Sequence, residues 1–276
     1  MPSLRRDAGS VRTARLPTVV YVIGAGIFLM GTTEFMIAGL LPEVAADLGV
    51  SVAKAGLLVT AFAAGMIVGP PAMALATLRL PPRATLVLAL AVFAAGHVVA
   101  ACSDSFTVVA ISRVVTALAT GTFWAVGAVV ATTVAGPGAS ARALAVMSGG
   151  LSLAVVAGVP LGTFAGQFTG WRGPFWILAV LALVTIGAVW RFTPAVLRDR
   201  GPAISVRTEV STLRPWRVWV VLGAIVLAQA GFLGAYSYIS PLLTARAGIP
   251  AALLPVALLA ATMTRRHLAR PQRTLT

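Results

Sequence analysis

The 276-residue sequence has few charged residues and a single cysteine. Charged side chains make up 10% of the chain against 59% hydrophobic residues, which is too few polar groups to cover the surface of a soluble domain. The lone Cys102 excludes a disulfide framework within the chain and a cluster of thiolate metal ligands. The sequence also lacks a Gly-x-x-x-x-Gly-Lys-Ser/Thr phosphate loop. We therefore expect no cofactor and no metal ion.

Long apolar runs make up most of the sequence. Seven of these runs are long enough to cross about 30 Å of hydrocarbon as helices, and an eighth is doubtful. The sequence therefore predicts an all-α membrane protein with short connections between antiparallel helices. The predicted spans are 17–41, 55–76, 84–101, 106–134, 143–168, 174–192 and 218–239, with a weak eighth at 251–263.

The net charge of +14 is spread over alternate loops and is not gathered on one face. If the N-terminus is cytoplasmic, 17 basic residues lie on the inner side and three, Lys54, Arg172 and Arg246, on the outer side, while Arg113 lies within a span. This is the distribution that the positive-inside rule describes. It predicts a multi-pass protein in the lipid bilayer with a cytoplasmic N-terminus, and it argues against nucleic acid as a partner.

The longest polar connection lies between the sixth and seventh spans and is rich in arginine and proline. Such a segment is typical of a linker between two helical units. It divides the chain into a cytoplasmic N-terminus, a six-span bundle, a cytoplasmic linker, a seventh span with a partial eighth, and a basic tail. The corresponding boundaries are 1–16, 17–193, 194–216, 217–263 and 264–276.

Two charged residues of opposite sign lie well inside predicted spans, away from the span ends. Glu34 lies seven residues before the end of the first span at Leu41, and Arg113 seven residues after the start of the fourth at Phe106. Both therefore lie ~10 Å below the outer surface. Because a charge at this depth costs ~2.5–3.5 kcal/mol, we expect Glu34 to load and release a proton beside Arg113. The alternative is a static ion pair that only fixes helix packing. His97, in the third span, is interpreted as a hydrogen-bonded or interfacial side chain.

Small residues recur at four-residue intervals along the fifth span. Such a ridge allows the backbone of another helix to approach closely. Pro160 within the ridge removes a backbone hydrogen bond and favours a bend. A bent, closely packed helix is consistent either with simple packing or with a gate between helix bundles. The small residues are Gly150, Ala154, Gly158, Gly162 and Gly166.

Three motifs and one arginine resemble those of a known family. The stretch from Gly158 to Arg172 resembles an antiporter signature on the fifth helix, and Leu41 to Val50 resembles a motif that closes the first helix. Tyr238 to Leu242 resembles the end of the seventh helix, and Arg113 occupies the place of a fourth-helix arginine linked to proton handling. The family is that of the twelve-span drug/proton antiporters of the major facilitator superfamily. The antiporter motif residues carried over are Gly158, Pro160, Gly162 and Gly166.

Within this family, the segments from Gly31 to Pro42 and from Gly231 to Pro241 resemble the actinobacterial chloramphenicol exporters. The resemblance implies the N-terminal six-helix bundle of the superfamily followed by one or two helices of the second half, so we expect a truncated chain. In the loop between the second and third helices, Leu78 stands where the family has an Asp, although Arg79 and Arg83 remain to anchor the cytoplasmic face.

The resemblance implies antibiotic resistance by efflux of a small amphipathic drug, such as chloramphenicol, across a bacterial cell membrane in exchange for protons. The alternatives are a truncated membrane protein that does not transport, or an exporter of another metabolite such as a sugar. We do not expect an enzyme, because no Gly-x-Ser-x-Gly context or paired nucleophile and base is present. The side chains expected to line the substrate cavity are Phe35, Met36, Phe123, Trp124 and Tyr236.

Overall fold

The structure, a computed structural model, describes residues 15–77, 80–194 and 215–245, without the side chains at 70–77, 229 and 232–245. Within these ranges the chain is helical and contains no strand. The helices are α1 (Thr18–Gly39), α2 (Leu41–Asp47), α3 (Val52–Thr77), α4 (Pro82–Cys102), α5 (Phe106–Ala135), α6 (Ser140–Leu153), α7 (Val159–Thr169), α8 (Arg172–Phe192) and α9 (Trp216–Ala245), and a π-helical turn (Ala154–Gly158) joins α6 to α7.

Six helical segments in this part of the chain are long and apolar enough to cross a membrane. They are α1, α3, α4, α5, the continuous α6–α7 segment and α8. The predicted all-α membrane class and the first six spans are therefore confirmed, with ends that shift by a few residues. The predicted seventh span lies within α9. The predicted eighth span at 251–263 and the basic tail lie outside the described residues.

The chain divides into two compact units, residues 1–199 and 200–276, and the six spans belong to the first. Within that unit α1 packs against α6, the π-helical turn and α7, and also against α5 and α8. Helix α5 packs against α3 and α4, and α4 packs in turn against α8. Helix α1 thus contacts most of the bundle, and 67% of its span is buried. This places the buried polar side chains of α1, Thr32 and Thr33, among several helices.

The first span ends earlier than predicted. Helix α1 stops at Gly39, and the next residues form the separate short helix α2. Pro42 lies in the first turn of α2, where its missing N–H costs nothing because that donor has no partner within a helix. At the end of α7, Gly170 adopts a positive φ of 69°, a conformation that glycine adopts without strain. That turn brings Trp171 to the start of α8.

The fifth span contains an irregular turn just before Pro160. The N–H of Val159 donates to the carbonyl oxygen of Ala154, five residues earlier, which is the pattern of a π-helix. Pro160 has no N–H to donate to the carbonyl of Val156, so the regular helical ladder cannot continue through this turn. The irregularity that Pro160 predicts therefore takes the form of a π-helical turn.

The outer surface of the bundle is apolar. On α8, for example, Val180, Leu183 and Val184 are all more than half exposed. An apolar surface of this kind would be unfavourable in water but suits contact with lipid chains. The polar side chains that carry the functional argument lie instead between the helices or at the ends of the bundle.

Candidate proton and substrate site

Arg113 is buried in the middle of the six-helix unit, with 1% of its surface exposed. From α5 its Nη1 donates to the hydroxyl oxygen of Thr33 at 3.0 Å, and its Nη2 donates to the backbone carbonyl oxygen of Thr33 at 3.1 Å. The guanidinium also lies over the ring of Phe62 on α3, 4.2 Å from the ring centroid. Contacts from two neighbouring helices therefore fix this cation.

Glu34 follows Thr33 directly and is partly exposed. Arg113 and Glu34 therefore lie at the same level of the bundle, as their equal distances from the helix ends predict. Their charges interact, yet no ion pair within 4 Å joins these two described residues. The hydrogen bonds of the guanidinium go to Thr33. The carboxylate is thus close to a fixed positive charge but is not locked to it.

His97 on α4 completes this group of buried polar side chains. Its Nε2 lies 2.7 Å from the hydroxyl oxygen of Thr33, and its Nδ1 lies 2.7 Å from the carbonyl oxygen of Phe93. The ring is fully buried, so the hydrogen-bonded alternative for His97 is right and the interfacial one is wrong. We call Thr33, Glu34, His97 and Arg113 the buried polar cluster. Sequence reasoning missed Thr33, because a threonine within a span carries no charge to mark it.

Two of the residues expected to line the substrate cavity are packed between helices. Met36 is fully buried, and its sulfur fills the space left by Gly162. Phe123 is also fully buried, with its ring against Gly26. Each large side chain thus occupies the hollow that a glycine leaves on the facing helix. A bound compound reaches neither residue unless the helices separate.

Two other residues of the expected cavity are partly exposed, Phe35 on α1 and Trp124 on α5. Ala38 and Gly39, further along α1, are exposed as well. From Glu34 to Gly39, α1 therefore has a side that the six-helix unit does not cover. Tyr236 lies in the part of α9 whose side chains, residues 232–245, are not described.

The glycines of the fifth span pack against α1. A Cβ atom built on Gly150 would collide with the backbone carbonyl oxygen of Gly24, and one on Gly158 would collide with the hydroxyl oxygen of Thr32. Only glycine allows the two helices to approach this closely at these points. Further along the same contact, Gly162 meets Met36 and Gly166 meets Leu40.

An ion-pair network lies at the end of the bundle that the charge distribution predicts to be outside. The indole Nε1 of Trp171 donates to Asp47 at 2.9 Å, and Arg172 also donates to Asp47. Arg172 donates in addition to Asp104 at 2.7 Å and to the carbonyl of Ser103 at 3.2 Å. We call these five residues the end cluster. It joins α2, the α4–α5 connection and the start of α8.

The end cluster gives a pH-dependent prediction. The hydrogen bond from Trp171, together with the hydrogen bond and charge of Arg172, holds the pKa of Asp47 below its usual range, although burial opposes this. A carboxylate with a lowered pKa in the folded state stabilises the fold above its usual pKa, and this contribution disappears as the pH falls through the lowered value. We expect Asp47→Asn to lower stability at pH 7 by less than about 1 kcal/mol, because the site is exposed.

Thermal unfolding in detergent between pH 7 and pH 3 would measure this effect. The difference in melting temperature between Asp47→Asn and the parent chain should shrink toward zero as the pH approaches 3. Glu43→Gln is the matched control, since Glu43 is an exposed carboxylate on the same short helix. If the two variants behave alike at pH 7, the end cluster does not stabilise the bundle.

At the opposite end of the bundle, Arg83 connects α4 to α8. Its guanidinium lies over the ring of Trp190, 4.0 Å from the ring centroid. The side chain of Arg83 thus contributes to packing at the end that is predicted to be cytoplasmic. Arg79, the other expected anchor of this face, lies outside the described residues.

The six apolar helical segments of the bundle define a multi-pass membrane protein. Residues 23–267 match the family described as Major Facilitator Superfamily, and the chain belongs to this family. The resemblance inferred from the motifs is therefore confirmed at the level of the superfamily. Its members are transporters rather than enzymes.

Three curated relatives illustrate the similarity. The chain is 38% identical over 247 residues to a chloramphenicol resistance protein of Streptomyces lividans, covering 88% of this chain and 62% of that protein. It is 37% identical over 227 residues to the inner membrane transport protein YdhP of Escherichia coli K12, covering 82% and 57%. It is 30% identical over 250 residues to the uncharacterized MFS-type transporter YtbD of Bacillus subtilis, covering 91% and 63%. The chain thus spans less than two thirds of the length of these relatives.

Proposed function

We propose that this chain takes part in proton-coupled export of a small amphipathic drug, chloramphenicol or a related antibiotic, across a bacterial cell membrane, with its N-terminus in the cytoplasm. The observation that carries the proposal is a carboxylate, Glu34, beside a fixed guanidinium, Arg113, without a direct ion pair. Support for the drug class comes from the relative whose name states chloramphenicol resistance. The basic loops support the orientation.

The proton step follows from how Arg113 is held. Its two hydrogen bonds go to Thr33, so its position does not depend on the charge of Glu34. When Glu34 takes up a proton, a negative charge disappears next to a guanidinium that stays in place. The positive charge is then unbalanced in a site of low dielectric constant, where interactions between charges are strong. Proton binding thereby changes the energy of the helices that surround the site.

The drug step uses the uncovered side of α1. Phe35 and Trp124 are partly exposed apolar side chains of the kind that bind neutral amphipathic molecules with few polar contacts. Met36, the neighbour of Phe35 on α1, packs against Gly162, and Phe123, the neighbour of Trp124 on α5, packs against Gly26. Tyr236 is assigned to the same cavity from its motif alone. A drug bound here would lie close to Glu34 along α1, so proton and drug could influence each other directly.

The fifth span is suited to transmit that influence. Its glycines touch α1 along most of their common length, and a π-helical turn interrupts the segment next to Pro160. Interruptions of this type occur often at functional sites. A small rearrangement of α1 would therefore reach Gly158, Pro160, Gly162 and Gly166, which form the motif that resembles the antiporter signature.

Drug accumulation in a bacterial host tests the proposal. Cells that express the chain should accumulate less chloramphenicol than control cells, and an uncoupler of the proton gradient should abolish the difference. Glu34→Gln, at equal amounts in the membrane, should lose this effect entirely, since an amide cannot exchange a proton. Glu43→Gln is the matched control and should export normally, because its carboxylate is exposed on α2.

Two outcomes would contradict the proposal in different ways. If Glu34→Gln exports as well as the parent chain, Glu34 is not the residue that couples protons to the drug. If neither protein lowers accumulation although both reach the membrane, the chain does not export chloramphenicol. The same assay with sugars would then test the metabolite alternative, and a negative result would favour a membrane protein that does not transport.

A further inference from the structure

In the hydrogen bonds that link His97, Thr33 and Arg113, chemistry decides which atom donates and which accepts. A carbonyl oxygen can only accept, so the 2.7 Å contact between Phe93 and His97 places a proton on Nδ1 of the imidazole. A guanidinium can only donate, so the hydroxyl oxygen of Thr33 accepts from Arg113. The hydroxyl proton of Thr33 is then free to point at Nε2 of His97, 2.7 Å away. In this assignment Nδ1 of His97, the hydroxyl group of Thr33 and Nη1 of Arg113 each donate to one acceptor, while Nε of Arg113 is buried without a hydrogen-bond partner in the described part of the chain.

A His97 that carries protons on both ring nitrogen atoms is unfavourable here. If Nε2 of His97 also carried a proton, the hydroxyl oxygen of Thr33 would receive hydrogen bonds from two cations, and its own proton would have to turn elsewhere. The imidazolium and the guanidinium would also repel each other across one hydroxyl group in a buried site. The geometry therefore matches a neutral His97 that accepts a hydrogen bond from Thr33.

His97 is itself held firmly. Its ring is fully buried, with the ring centroid of Phe93 at 4.1 Å and that of Phe175 on α8 at 5.4 Å. The hydrogen bond to Phe93 fixes the ring along its own helix. With the ring fixed on both sides, Nε2 points at one place, the hydroxyl group of Thr33. That hydroxyl group supplies one of the two oxygen atoms that accept hydrogen bonds from the guanidinium of Arg113.

We propose that His97 is a positioning residue for Arg113, acting through the hydroxyl group of Thr33, and that it keeps the guanidinium at the level of Glu34. This inference rests on the proposed function of Glu34 and Arg113. It assigns a role to α4, which contributes no other side chain to the buried polar cluster. The hydrogen bonds of His97 go to Thr33 and Phe93, not to Glu34 or to the proposed drug contacts Phe35 and Trp124. Its effect on export must therefore pass through Thr33.

A double-mutant cycle on export tests this path. We expect His97→Leu to slow proton-coupled export about tenfold, because it leaves the hydroxyl proton of Thr33 without its buried acceptor. Thr33→Val should slow export by at least as much. If His97 acts through Thr33, the double variant is no slower than Thr33→Val alone. Additive losses, or full export by His97→Leu, would overturn the proposal.

Two further variants separate positioning from packing. His97→Gln keeps an acceptor that can reach Thr33, so it should restore most of the export that His97→Leu loses. Thr122→Val, whose hydroxyl group donates to the carbonyl of Leu118 in its own helix, is the control for losing a buried threonine hydroxyl and should export normally. Equal losses in the Gln and Leu variants would show that the imidazole only fills space.

The tautomer of His97 provides a readout that does not require export. The sequence has two histidines, so His267→Asn leaves His97 as the single histidine. The ¹⁵N NMR spectrum of histidine-labelled protein in detergent at pH 7.5 should show a neutral ring with its proton on Nδ1, and Thr33→Val should shift the Nε2 signal. A proton on Nε2 would overturn the inference. A chain that shows the expected spectrum without export contradicts the proposed function alone.

Discussion

Replacing Arg113 with Lys is expected to slow proton-coupled export by roughly tenfold to hundredfold while leaving the helical bundle assembled. Arginine supplies a planar fork that reaches the hydroxyl and carbonyl oxygens of Thr33 together and lies flat over Phe62. Lysine keeps the charge but offers a single ammonium group, which cannot reproduce this arrangement. Each hydrogen bond to a charged group contributes about 1.5–3 kcal/mol, so the loss of one corresponds to roughly a tenfold to hundredfold lower rate.

The companion variant Arg113→Met separates the role of the charge from that of packing. Methionine removes the desolvation cost of burying a cation that has no direct ion-pair partner among the described residues, and it fills a similar volume. We therefore expect Arg113→Met to melt in detergent at the same or a higher temperature than the parent chain, and yet to export nothing. Export rates at matched membrane levels, together with melting temperatures, measure both effects. Normal coupling in Arg113→Lys would show that the position of the guanidinium is unimportant.

The spans and the shared depth of the two charges could be predicted from the sequence because lipid allows few solutions. A segment without water must satisfy its backbone internally, so apolar length and loop charge indicate helices and their order. The depth of Glu34 and Arg113 then follows from counting 1.5 Å per residue. Residue counting gives the depth of a residue along its helix. It does not give the direction in which the side chain points among several neighbouring helices.

That limit explains what the sequence did not reveal. Thr33 lies in the buried polar cluster only because α1, α4 and α5 meet at that point, and the sequence marks none of these contacts. Met36 and Phe123 look like ligand-binding side chains, yet the glycines opposite them make room for packing. The end cluster brings together residues from connections that are far apart in sequence, so only the folded bundle places Asp47 next to Arg172.

The sharpest difference in stability is expected between two adjacent glycines of α6. A Cβ atom on Gly150 would meet the backbone carbonyl oxygen of Gly24, whereas one on Gly149 would meet nothing within 4 Å. Gly150→Leu should therefore force α1 away from α6 and prevent assembly of the bundle. Gly149→Leu should fold normally, because the added side chain points into open space. The amount of monodisperse protein extracted in mild detergent measures the difference.

Alanine substitutions at the same two positions test the contact with a smaller added side chain. Both substitutions bring the same gain in helix propensity, up to about 1 kcal/mol, so this gain cancels when the two variants are compared. What remains is the collision at Gly150, for which overpacking of a tight contact costs about 1–3 kcal/mol. A carbonyl oxygen of the backbone cannot turn aside as a side chain can, so relaxation does not relieve the collision. Equal melting temperatures for Gly149→Ala and Gly150→Ala would mean that α1 and α6 do not approach as closely as described. Without that close contact, a rearrangement of α1 at Glu34 would not be transmitted to the antiporter motif of the fifth span.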